Sequence, residues 1–145
     1  MDRIACPWLI QKFVDPHAEF LFVPKENVLE VAQREAAIAF DAPGAPLTHF
    51  TEGGEERVSF DAIIRKYQLK DAALLDLAEI VRTADASGVP RPRSEGAGLE
   101  AAALGFRSIA KDDHDNMRLQ FPLYDALYAY CQGRVKQGGT LEHSR

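Results

Sequence analysis

Asp2-Arg3-Ile4-Ala5-Cys6-Pro7-Trp8-Leu9-Ile10-Gln11-Lys12-Phe13 is the stretch from which the rest of the chain is read. It gathers a charged pair, a lone thiol and the only tryptophan into one apolar segment near the amino terminus. Terminal residues fray and are polar unless something ties them down. Ile4, Trp8, Leu9, Ile10 and Phe13 carry too much apolar surface to leave in water, so a buried helix is expected here. Asp2, Arg3 and Cys6 then travel with it to the rim of the core, as a structural ion pair or as one wall of a site. Pro7 constrains the start, because proline is tolerated only in a first turn. Either the helix begins near Ile4 with Asp2-Arg3 in the entering loop, or it is kinked.

Outward from this helix, Asp15-Pro16 is a stop, and Glu19-Phe20-Leu21-Phe22-Val23 reads as a short buried strand closed by Pro24. Residues 26–34 look helical, and Ala36-Ala37-Ile38-Ala39-Phe40 reads as a second strand. The connection is just long enough for a βαβ crossover, so a parallel pair is expected. Asp41-Ala42-Pro43-Gly44-Ala45-Pro46 is a turn region, and Glu52-Gly53-Gly54-Glu55-Glu56 a solvated loop. Ser59 and Asp71 are placed to cap two helices. In the second of these, Leu74, Ala78, Val81 and Asp85 share one face, so a carboxylate ends an apolar stripe. The Pro-rich, basic run Gly88-Val89-Pro90-Arg91-Pro92-Arg93-Ser94 reads as a solvated loop or a mobile flap. A helix presenting Leu99, Ala102, Ala103, Phe106 and Ile109 follows, with Gly98 and Gly105 permitting close helix contacts. Asp112-Asp113-His114-Asp115 opens the last helix, where acids suit the positive end of the dipole, and Pro122 should kink it.

The expected fold class is α+β, mainly α: about six helices around a small two-stranded parallel sheet in the N-terminal half. The 145 residues fit one domain, taken as residues 1–138. Residues 139–145 are read as a flexible tail, with Leu141-Glu142-His143 resembling an expression-vector remnant. A net charge of -5 argues against nucleic acid or an anionic membrane as a partner, since phosphate binding needs clustered Lys and Arg. No apolar run approaches a membrane span. Two cysteines are too few for a disulfide scaffold and fit a reducing compartment, with the cytoplasm as the default.

No Gly-rich phosphate loop, CxxC, HExxH or nucleophile elbow occurs, so no catalytic residue is assigned and the question of an enzyme stays open. What stands out is polar residues where the pattern expects apolar ones; buried charges must pair, bind a metal or line a wet pocket. His49, flanked by Leu47, Thr48 and Phe50, is either a hydrogen-bonded semi-buried histidine or a ligand. As a ligand it joins Asp41 and Asp85 around a divalent metal ion, the one cofactor suggested. Arg3 has the planar fork to clamp an oxyanion, with Asp2 and Cys6 beside it, or is paired with an acid. Cys6 near a helix start is a candidate thiolate or a small buried hydrophobe. Arg91 and Arg93 are candidate anion contacts, and the Asp112–His114 corner a candidate metal or capping cluster.

The blocks Asp2 to Ile10, Phe13-Val14-Asp15-Pro16 and Phe20 to Pro24 resemble the opening of the chromate-resistance, ChrB-type, domain. The likeness continues through Phe40-Asp41, Leu47-Thr48-His49, Ser59-Phe60-Asp61, Ile80 to Asp85, Gly98-Leu99 and Tyr124 to Tyr128. Val58 departs from it, where the family often has a cysteine before the Ser-Phe pair; this weakens any second thiolate ligand. The resemblance implies a role in bacterial chromate resistance, in a stand-alone form without the segment linked to DNA binding. It implies a small anion such as chromate as the partner molecule, leaves room for a homo-oligomer, and assigns no reaction.

Overall fold

In the computed structural model the backbone is described for residues 2–86 and 88–143, and side chains for residues 3–86 and 88–138. The described elements are α1 (Asp2–Phe13), a 3-10 turn (Lys25–Asn27), α2 (Val28–Arg34), β1 (Phe50–Glu52), β2 (Glu55–Arg57), α3 (Ser59–Lys66), α4 (Ala72–Asp85), α5 (Ser94–Ile109) and α6 (Asp113–His143). The class is α+β, mainly α. No described helix is long and apolar enough to cross a membrane.

Helix α1 is the hub. Residues Ile4 through Leu9 are all buried, so it is enclosed on every side rather than amphipathic. It starts at Asp2 and runs through Pro7, whose missing N–H leaves the Arg3 carbonyl without its usual helical partner. Trp8 stacks on Tyr124 of α6 at 5.9 Å between ring centroids, and Phe13 meets Tyr128 edge-on at 5.4 Å. The indole N–H donates to Asp125 Oδ1 at 2.9 Å, so the tryptophan is buried without stranding its one polar atom.

Asp71 caps α4, its Oδ1 accepting from the Leu74 N–H at 2.9 Å, and Leu74, Ala78 and Val81 are buried on the expected face. Capping of α3 differs from expectation. Asp61, in the first turn, accepts from the Val58 N–H at 3.0 Å, which frees the Ser59 hydroxyl for another partner. Asp61 also receives a two-pronged bond from Arg82 of α4, Nε to Oδ2 at 3.0 Å and NH2 to Oδ1 at 2.8 Å. Helices α4 and α5 meet at Gly96, where an added Cβ would lie 2.6 Å from Thr83 Cγ2; Gly98 and Gly105 have open space there instead. Ile109 is 68% exposed and off the core face.

The expected parallel pair is absent. Neither 19–23 nor 36–40 forms a strand; each buries only one residue, Phe20 and Ala39, and leaves Leu21 and Ile38 over half exposed. A short apolar run does not pair without a partner edge, and here a single parallel bridge, Phe40 to Leu47, is all that forms. The described sheet is antiparallel, β1 on β2 with Glu52 opposite Glu55. Its two-residue turn is Gly53-Gly54, both at positive φ (58° and 79°), within the run read as a solvated loop.

The basic loop is not a flap. Arg93 bonds Asp76 at 2.7 Å, Glu79 at 3.1 Å and Glu95 at 2.9 Å, and its backbone N–H donates to Thr83 Oγ1. Arg134 joins Asp76 and the Tyr130 hydroxyl joins Glu95, so this network ties α4, α5 and α6 together. The Arg93 guanidinium holds the Glu95 carboxyl down at about 2.

Candidate functional site

Asp41 follows Phe40 in a left-handed conformation (φ 51°), which aspartate tolerates better than most residues. Two contacts hold it there: its N–H donates to the Leu47 carbonyl at 2.8 Å, and the Ser59 hydroxyl donates to Oδ1 at 3.2 Å. His49 precedes β1, Glu56 lies on β2, and Asp85 ends α4. These four converge. His49 Nε2 stands 3.3 Å from Asp85 Oδ2 and 3.9 Å from Asp41 Oδ1, while Nδ1 stands 3.6 Å from Glu56 Oε1. Three carboxylates thus surround one imidazole. Burial pushes the Asp41 carboxyl up, and the neighbouring Asp85 charge adds to this; the Ser59 hydrogen bond opposes both.

The sequence-nominated residues Asp41, His49 and Asp85 are therefore brought together, though not as a finished metal site. Among the described residues no group of three or more His, Cys, Asp and Glu is placed to hold a metal ion. Two donors on one ion with bonds of about 2.0–2.2 Å lie roughly 3.0–3.4 Å apart. The His49–Asp85 separation meets that; Asp41 stands about half an ångström too far out.

Asp41 and Asp85 also line a cleft of about 1120 Å³, whose lining includes Arg3. Arg3 NH2 bonds Asp113 Oδ2 at 2.8 Å, and the expected Asp2 partner's side chain lies outside the described residues. The Arg3 guanidinium also lies 5.4 Å over the Phe22 ring, and Nε is buried with no hydrogen-bond partner among the described residues. Carboxylates outnumber cations among the lining residues by seven to three. Cys6 is fully buried in the core rather than at the rim, so it does not share this wall. Arg93 belongs to the structural network above, and Arg91 is exposed outside the cleft. In the Asp112 corner the acids are caps: Asp112 accepts from the Asp115 N–H and Asp115 from the Lys111 N–H, while His114 packs edge-on to Phe22.

Sequence reasoning missed Asn116 and Gln120, buried neighbours in the cleft, with Gln120 Nε2 donating to Asn116 Oδ1 at 2.7 Å. Their spacing from Asp113, at i+3 and i+7, was the available signal of one polar stripe on an otherwise apolar helix face. Glu56 was taken as a loop charge because the hairpin was not recognised.

Fold and cleft together define a mainly helical α+β protein with a histidine–carboxylate corner opening on an acidic cavity. The chain belongs to the ChrB C-terminal domain family, whose model matches residues 1–131. It is similar to Protein ChrB of Cupriavidus metallidurans, 34% identical over 138 residues, which covers 94% of this chain and 40% of that protein. The chain thus spans about two fifths of that curated relative's length. No solved structure matches it.

Proposed function

We propose that this domain takes part in a chromate-stress response by binding a divalent cation at the Asp41–His49–Asp85 corner. One observation carries the reading: three carboxylates converge on His49 at 3.3, 3.9 and 3.6 Å. The imidazole faces carboxylates at both nitrogens, Nε2 toward Asp85 and Asp41 and Nδ1 toward Glu56, so donor atoms of two kinds are already gathered at one point. His49, Asp41 and Asp85 would hold the ion, which would supply an electropositive centre with open positions. An imidazole–carboxylate donor set suits zinc or manganese. Arg3, which also lines the cleft, would be the anion contact. With acids outnumbering bases there, a free chromate dianion is repelled. Binding is therefore ordered, cation first and oxyanion second.

Titration calorimetry of the tag-free protein with zinc and with manganese tests this. One equivalent should bind, at least tenfold more weakly in His49→Ala, and chromate should bind only to the metal-loaded form. Equal metal binding by wild type and His49→Ala, or chromate binding to the metal-free protein, rejects the reading.

A further inference from the structure

An ion fills little of this cleft, whose lining also includes a polar floor, the stripe Asp113, Asn116 and Gln120 on α6. Gln120 is only 2% exposed, and its Oε1 has no hydrogen-bond partner among the described residues. A buried amide oxygen left unpaired is costly, so its retention needs a reason. Arg3 Nε, a donor, is buried and unpartnered in the same way. Arg3 is anchored at Asp113, seven residues before Gln120, so the two anchor positions lie about 10 Å apart along the axis of α6.

What covers this floor is a strap. The described residues make no backbone–backbone hydrogen bond to residues 19–23, which line the cleft. The strap is held by side chains instead: Phe20 is buried, and Phe22 sits between the Arg3 guanidinium and the His114 ring. Segments fastened only this way open at low cost. The cleft has the size of a site for a small organic molecule, with polar and apolar walls in company.

We infer that the strap of residues 19–23 closes over a subsite for a neutral, elongated organic molecule, with a carbonyl acceptor at Arg3 Nε and an N–H or O–H donor at Gln120 Oε1. The molecule's flat body lies against Phe20. It is neutral because, with no cation bound, the acidic lining disfavours an anion. This subsite stands whether or not the His49 corner takes a metal.

para-Aminobenzamide has this pattern, and benzamide lacks the distal donor. The test is a proton–nitrogen NMR titration of metal-free, chromate-free protein with each compound at millimolar concentration. The Gln120 side-chain amide, the Arg3 Nε–H and the backbone amides of residues 19–23 should shift together with para-aminobenzamide. Benzamide should bind about fivefold to tenfold more weakly, the worth of one hydrogen bond. Gln120→Met should reduce para-aminobenzamide to the benzamide level. Wild-type protein in which Gln120 and Arg3 do not move, or in which both compounds bind equally, overturns the inference without recourse to any variant.

Discussion

Replacing Asp61 by Asn should cost this domain more than any other single charge change near the site. The carboxylate is 8% exposed and its partner Arg82 16%. It accepts three hydrogen bonds, two from Arg82 and one from the Val58 N–H that starts α3. Asparagine keeps one acceptor oxygen, which at the Oδ2 position retains the cap and the Nε prong but turns an amide N–H toward Arg82 NH2, and the guanidinium is left largely buried without its counter-charge. Breaking a buried pair from one side costs about 3–5 kcal/mol. The retained bond and the residual exposure of Arg82 reduce that to about 2–4 kcal/mol. For a domain of this length that is a fall in Tm of roughly 5–15 °C. Urea unfolding followed by far-UV circular dichroism, with the denaturant slope unchanged, measures it. Arg118→Ala is the control: its bond to Asp115 is equally short at 2.7 Å, but Arg118 is 71% exposed, and the transition should not move. The clamp also sets the site, because Ser59 lies two residues before Asp61 and Asp85 three after Arg82. If Asp61→Asn unfolds within about 1 kcal/mol of wild type, burial does not raise this pair above a surface one, and the reasoning fails.

Three further outcomes are expected. Asp41→Asn should stabilise the metal-free protein at neutral pH while weakening zinc binding, because a carboxyl raised by burial costs stability once pH exceeds its unfolded value; equal or lower stability of the variant in calorimetric scans counts against it. Glu95 is held at about 2, so its contribution is fully present above its ordinary value of 4.5 and is lost as pH falls toward 2. Glu95→Gln should therefore flatten the acid limb of the stability profile, and parallel profiles would exclude the Arg93 contact as its cause. Gly96→Ala should destabilise by about 1–3 kcal/mol through its clash with Thr83, whereas Gly98→Ala, in open space, should be neutral or stabilising by up to about 1 kcal/mol; equal effects of the two would show that helices α4 and α5 part easily.

The helices were legible because their faces repeat. Leu74, Ala78 and Val81 announce a core side and Asp71 announces a start, and both are local signals. The sheet was misplaced because apolar runs at 19–23 and 36–40 resemble buried strands, yet strand formation depends on a partner edge that sequence does not display. The Gly53-Gly54 turn was the better local cue, masked by the flanking glutamates. For the site, Asp41, His49 and Asp85 were legible as polar residues in apolar company. Arg93 was misread for the opposite reason: proline neighbours suggested a solvated loop, while its three carboxylate partners lie up to 17 residues away. Cys6 illustrates the same limit, since a thiol near a helix start looks reactive until its burial is known.

The polar groups that sequence could find differ in kind from those it could not. Asp41, His49 and Asp85 sit on three separate elements, and each interrupts an apolar pattern. Their convergence holds carboxylates together at a cost in repulsion, which burial of Asp41 increases. Asn116 and Gln120 interrupt a helix face in a milder way and carry no charge, so they neither repel nor announce themselves. Yet the orphaned Gln120 oxygen is also a cost, and an apolar residue of the same shape would avoid it. Both costs fall on one cleft, and neither Asp61–Arg82 nor the Arg93 network, whose charges are paired, shares them. The structural charges sit opposite counter-charges, whereas the cleft gathers carboxylates beside one another and holds one buried amide oxygen, Gln120 Oε1, that no described residue partners. That contrast, more than any one residue, is what favours the cleft as the place where a ligand would be met.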